Sequence, residues 1–143
     1  MTRLTLDQAN AIISGTLDAA RAAGGAPLTV VVIDDSGHLI AAQRQDGASM
    51  FRFDIALGKA WGAVAFGVSS RDLAAKARDN PSFMQGLAVT SGGRLLPNPG
   101  AVPIVAAGGA VLGAVGVSGD SGPQDEKFAI AGVAAAGLAT TTD

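Results

Sequence analysis

The sequence predicts an α/β protein of the α+β kind, an antiparallel sheet covered by helices on both faces. Three observations carry this. Two pairs of apolar runs are each joined by a short Gly-containing turn, the connection that antiparallel neighbours use. The runs are apolar almost without interruption, as strands are when both sheet faces are covered. Helix-length segments surround the two hairpins in the order α-β-β-α-α-β-β-α, unlike the regular β-α alternation of a parallel sheet.

The first helix runs from about Leu6 to Ala23. Thr5 and Gln8 have the spacing of a capping box, in which hydroxyl and amide each satisfy an orphan backbone N–H. Leu6, Ala9, Ile13, Leu17 and Ala20 recur at helical spacing. Gly24-Gly25 ends the helix, because Gly tolerates a left-handed cap. Leu28 to Ile33 is a β-branched strand. Asp34-Asp35-Ser36-Gly37 is a tight turn by composition, and His38 to Arg44 is the return strand. Gln45-Asp46-Gly47 is a second turn signal.

Ser49 to Phe66 is helical, with Ile55, Ala56, Ala60, Ala63 and Val64 on one face. Ser69 and Asp72 open a helix over Arg71 to Arg78, which Asn80-Pro81 stops. Ser82 to Val89 holds a short helical turn, and Thr90 to Gly100 is a long loop. Loops of that length inside a compact domain are often functional. Val102 to Ala107 and Ala110 to Val117 form the second hairpin around a two-residue Gly108-Gly109 turn. A polar loop, Ser118 to Pro123, leads into a closing helix from Gln124 to Thr141. Residues 1–143 read as one domain, with no repeat or linker.

Composition removes several function classes. Of 143 residues, 29 are Ala and 20 are Gly, 48% are hydrophobic and only 15% are charged. That balance is the opposite of an intrinsically disordered chain. A net charge of -2 with scattered basic residues argues against a nucleic-acid partner. With no Cys there are no disulfides, zinc-thiolate sites or thiol nucleophiles. Met1-Thr2-Arg3-Leu4-Thr5 does not read as a signal peptide. The apolar stretch Ala101 to Val117 is too interrupted to span a bilayer. The expectation is a cytoplasmic protein with no membrane partner. Small side chains bury little area each, at roughly 25 cal/mol per Å², so an Ala-rich core is thin. A homo-oligomer is therefore expected.

Few side chains can carry chemistry, and each has two readings. His38, the sole His, is a ligand for haem iron or a general base, or a turn-edge residue. Arg44 forks onto a ligand carboxylate, or pairs with Asp46 to fix the turn. Lys59, among Ala56, Ala60 and Ala63, either snorkels to solvent or enters a pocket to hold an anion. Ser118, Asp120, Asp125 and Glu126 lie in the most polar stretch of an apolar half. Asp125 and Glu126 either complement the dipole of the last helix or serve as general acid and base. The candidate catalytic set is Glu126, Asp125 and Lys59. Arg44, Asp46, Lys59, Ser118 and Asp120 are the candidate ligand-binding set, with no resident metal expected.

Three fragments, in order, resemble the GlcG/HbpS family, the haem-binding or haem-degrading domain family that includes the C-terminal domain of PduO-type proteins. The first is Val30-Val31-Val32-Ile33-Asp34-Asp35-Ser36-Gly37-His38-Leu39, leading to Arg44-Gln45-Asp46-Gly47-Ala48. The second is Ala56-Leu57-Gly58-Lys59-Ala60. The third comprises Val102-Pro103-Ile104, the run Gly113-Ala114-Val115-Gly116-Val117-Ser118-Gly119, then Gln124-Asp125-Glu126 and Ala129. The resemblance spans nearly the whole chain. It implies a profilin-like fold with an antiparallel five-stranded sheet, which puts the fifth strand near Arg94 to Leu96. It also implies higher homo-oligomers, often octamers. Related proteins tend to have a Gly pair before Val-Pro-Ile, whereas Gly100-Ala101 stands here, a methyl group that would narrow an adjacent pocket.

For function, the resemblance implies binding of haem or a related small ligand, with His38 as the cofactor contact. The alternative is a cofactor-independent catabolic enzyme, an isomerase, lyase or hydrolase. It would act on a small carboxylate in a pocket containing Arg44, Lys59 and Glu126. A third reading is an accessory oligomer with no small ligand.

Overall fold

The computed structural model describes residues 3–141. Helix α1 (Leu6–Ala22) is followed by strands β1 (Thr29–Asp34) and β2 (Leu39–Arg44). Helices α2 (Phe51–Phe66), α3 (Ser70–Asp79) and α4 (Pro81–Thr90) come next. Strands β3 (Ala101–Val105) and β4 (Val111–Ser118), helix α5 (Gly122–Ala135) and strand β5 (Ala139–Thr140) complete the chain. One sheet has the order β2-β1-β4-β3-β5, and every neighbouring pair is antiparallel.

Local chemistry accounts for the element ends. Thr5 and Gln8 form the capping box of α1, with Gln8 N–H donating to Thr5 Oγ1 and Thr5 N–H to Gln8 Oε1. Ser69 caps α3 and Ser121 caps α5 through their hydroxyls. Both hairpins use one device. Asp34 N–H donates to His38 O and Gly37 N–H to Asp34 O; Ala106 N–H donates to Ala110 O and Gly109 N–H to Ala106 O. Gly37 and Gly109 take φ of +85° and +90°, the left-handed position that closes such a three-residue loop. The second turn is thus one residue longer than Gly108-Gly109 alone.

Side chains alternate along each strand, so the two sheet faces hold separate cores. Val30, Val32, Val102, Ile104, Val115 and Val117 meet α1 and α5. Val31, Ile33, Ala101 and Ala114 meet Ala56, Ala60 and Ala63 of α2. Leu73, Met84 and Leu95 form a satellite under α3, α4 and the loop that follows. The small residues permit close approach. A Cβ at Gly116 would run into the carbonyl of Ala56 on α2, so β4 and α2 touch backbone to backbone there.

Three expectations are corrected. The fifth strand is Ala139–Thr140, paired with β3 at the sheet edge, and not Arg94 to Leu96. Arg94 to Leu96 instead lies on α2, with Leu96 N–H donating to Gly58 O and Leu95 buried in the satellite core. The closing helix stops at Ala135 and does not reach Thr141. Gly137 at φ +73°, with Gly137 N–H to Ala134 O and Leu138 N–H to Val133 O, makes a left-handed C-terminal cap. Last, Ser82 to Val89 is more than one turn, because Pro81 starts a ten-residue helix in a position where its missing N–H costs nothing.

Candidate functional site

Lys59 is buried on the sheet-facing side of α2, with 2% of its surface exposed. Its Nζ donates to Val117 O at 3.0 Å and to Asp125 Oδ2 at 3.3 Å. Gly100 lies against the ammonium at φ +140°, and a Cβ there would fall 2.6 Å from Nζ. Asp125 is placed by the first turn of α5, where the positive end of the helix dipole favours a carboxylate. Its Oδ1 accepts from Asp120 N–H at 2.9 Å. Asp120 in turn accepts from Ala26 N–H and Ser121 N–H, which ties the β4–α5 loop to the start of β1. Ser118, at the end of β4, accepts from Arg52 Nη1 at 3.3 Å.

These groups share one cleft of about 370 Å³, which also takes in Ile55, Leu96 and Asn98. Burial pushes the Asp125 carboxyl above its ordinary value, against the opposing Lys59 charge and the Asp120 N–H. Burial pushes Lys59 down, against the opposing charge of Asp125. The two shifts bring the pair's proton affinities toward each other. Both shifts act against the charged forms, as expected of a pair taken out of water.

Donors and acceptors in the cleft are unequally committed. All four carboxylate oxygens of Asp120 and Asp125 already accept a hydrogen bond. Lys59 uses two of its three N–H donors, and Arg52 one of its five, in the bonds to described residues. Asn98 adds an exposed amide. The further N–H groups of Lys59 and Arg52 are charge-assisted donors that a carboxylate or other oxyanion would engage.

Of the residues singled out from sequence, Lys59, Ser118, Asp120 and Asp125 come together here. The others do not. Arg44 and Asp46 line a separate cleft of about 470 Å³ between β2 and the end of α1, with Arg21 and Leu17. No ion pair joins Arg44 to Asp46. Glu126 turns away to accept from Arg71 Nε at 3.2 Å. His38 has a side chain 80% exposed, its Nδ1 3.7 Å from Asp34 Oδ2, on a third cleft with Leu4, Ile40 and Leu112. The Arg44 cleft and the Lys59 cleft are separate, and Glu126 lines neither. Ala101, the methyl group in place of a second Gly, faces the α2 core and does not line the Lys59 cleft.

Arg52, Asn98 and Gly100 belong to the site and were not singled out from sequence. Arg52 had a signal: it precedes Lys59 by seven residues, two helical turns, with Ile55 between them on the same face. For Asn98 and Gly100 no periodic pattern exists, because they lie on a loop.

A family model described as "Haem degrading protein HbpS-like" matches residues 4–134. A Citrobacter freundii protein, described as an uncharacterized 15.0 kDa protein in the dhaT-dhaS intergenic region, is 32% identical over 103 residues. The match covers 72% of this chain and 71% of that one. Among solved structures, a PduOC–haem complex superposes with a TM-score of 0.86 at 23% identity, over 98% of this chain and 99% of the other. At that identity the likeness is one of fold. HbpS superposes with a TM-score of 0.81 at 31% identity, over 94% and 90% of the two chains.

Proposed function

The chain belongs to the HbpS-like family of haem-degrading proteins, and from that membership and the cleft chemistry we propose that it binds a small carboxylate-bearing ligand at Lys59. The observation that carries this reading is a buried ammonium, Lys59, and a guanidinium, Arg52, on one cleft, each with N–H donors beyond those that bond described residues. The volume lies within the range of small-molecule sites, at its lower end. Lys59 and Asp125 are the buried titratable groups facing such a ligand, which keeps a catabolic role within this reading.

Haem is the second reading, favoured by the family and by His38. Haem binding needs an iron ligand and an apolar slot. His38 offers an exposed imidazole, but on a cleft where Leu4, Ile40 and Leu112 are matched by Arg3, Asp34, Asp35 and Ser36, which is not an apolar slot; the Lys59 donors suit a propionate. These residues lie on different clefts of one protomer, so they do not form one haem site. When bound, haem would supply redox chemistry at its iron.

Calorimetric titration with acetate and spectroscopic titration with hemin separate the two readings. Lys59→Met is expected to weaken acetate binding at least tenfold, while His38→Ala abolishes a saturable Soret shift with hemin. Acetate binding that survives Lys59→Met intact would sink the first reading; a Soret shift that survives His38→Ala would remove His38 from the second.

A further inference from the structure

A second cleft adjoins the Lys59 cleft. Ile55 of α2 and Leu96 of the following loop line both. The second cleft, about 340 Å³, is walled by Leu57, Gly58, Trp61 and Arg94. It is the less polar of the two. The Arg94 guanidinium stacks on the Trp61 ring, 4.7 Å from its centroid, and its Nε donates to Ser91 O. The loop is held directly on the helix, since Leu96 N–H donates to Gly58 O and a Cβ at Gly58 would sit 3.0 Å from Leu96 Cβ. Leu96 itself stays 36% exposed, a partly open apolar side chain at the junction.

The two ends differ in what they ask of a ligand. At the Lys59 end a buried ammonium and the Arg52 guanidinium face the cleft beside the carboxylates of Asp120 and Asp125. At the Trp61 end the one cation, Arg94, shares its cleft with one anion, Asp54, and the remaining walls are aliphatic or aromatic. What sets the Lys59 end apart is its buried ammonium, which suits a carboxylate, while the less polar walls at the Trp61 end suit an uncharged body.

We propose that the groove along α2 takes a monocarboxylate with a flat apolar body, the carboxylate at Lys59 and Arg52 and the body lying past Ile55 and Leu96 toward Trp61. This rests on the carboxylate reading above and adds the ligand's shape. It predicts that an aryl carboxylate binds more tightly than acetate, because the body removes apolar surface from water as the carboxylate is held.

Trp61 is the only Trp, so its emission reports the apolar end directly. The test is a fluorescence titration with phenylacetate, acetate and benzyl alcohol, with affinities also measured by calorimetry. Phenylacetate is expected to change Trp61 emission saturably and to bind at least tenfold more tightly than acetate. Lys59→Met is expected to abolish both effects. Arg52→Gln, a milder change at a half-buried position, is expected to weaken phenylacetate severalfold should Lys59→Met fail to fold. Phenylacetate binding no tighter than acetate, or without a change in emission, would overturn the groove while leaving the carboxylate reading standing. Benzyl alcohol binding as tightly as phenylacetate would overturn the carboxylate reading itself, as would the absence of binding by any carboxylate.

Discussion

At the scale of single residues, the buried Lys59–Asp125 pair dominates. A buried charge left without its partner destabilises by about 3–5 kcal/mol. Lys59→Met removes the ammonium that opposes burial, so Asp125 rises further above its ordinary value. A carboxyl that binds its proton more tightly when folded loses stability as pH rises through its folded value. Lys59→Met is therefore expected to be least harmful in mild acid and to cost about 3 kcal/mol above neutrality, as read by urea unfolding at several pH values. A cost independent of pH would mean that Asp125 is not the group left exposed to the loss. The sequence shows Lys59 as a lone charge among small residues, and Asp125 as a helix-start carboxylate. That they meet is invisible locally, because 66 residues separate them.

At the scale of elements, the crossing of α1 and α5 depends on missing side chains. A Cβ at Gly132 would meet Thr16 Oγ1 and come within 2.5 Å of Ile12 O, and one at Gly15 would fall 2.6 Å from Ala135 Cβ. Gly to Ala inside a helix gains about 1 kcal/mol of propensity. Overpacking a tight contact costs about 1–3 kcal/mol, and here the obstacle includes backbone, which cannot rotate aside. Gly132→Ala is therefore expected to lower the melting temperature by several degrees, and a rise would show that the helices can part at no cost. The capping box of α1 and the places of both hairpin turns were legible in sequence because they are local contracts between neighbours, as with Thr5 and Gln8 or Asp34 and Gly37, though the second turn is one residue longer than its Gly pair. The end of α5 was missed, because the Ala-rich run around Gly137 reads as continued helix through to Thr141. The edge strand β5 is two residues long and has no period to detect.

At the scale of the molecule, apolar surface remains uncovered. Phe51 and Phe66 at the two ends of α2, and Phe83 and Val89 on α4, stand in solvent. Scattered exposed hydrophobes are ordinary, but several large ones on so small a chain mark a surface that association would cover. The expected native mass, by light scattering at micromolar concentration, is a multiple of 14.0 kDa. A mass of one chain would overturn the expectation of self-association. Among the described residues no helix is long and apolar enough to cross a membrane.

The sequence by itself determined four of the five strands, the two hairpins, where the helices lie and the family, since these follow from periodicity, turn chemistry and motifs read along the chain; it did not give the edge strand or the end of the last helix. Only the tertiary structure decided which candidates share a site. The sheet order sets β1 beside β4, and that pairing carries the β4–α5 loop to α2, where Asp125 meets Lys59. It leaves Arg44 and His38 at clefts of their own, at opposite ends of β2. The physical reason is that convergence depends on long-range strand register and helix packing, and no local spacing records either.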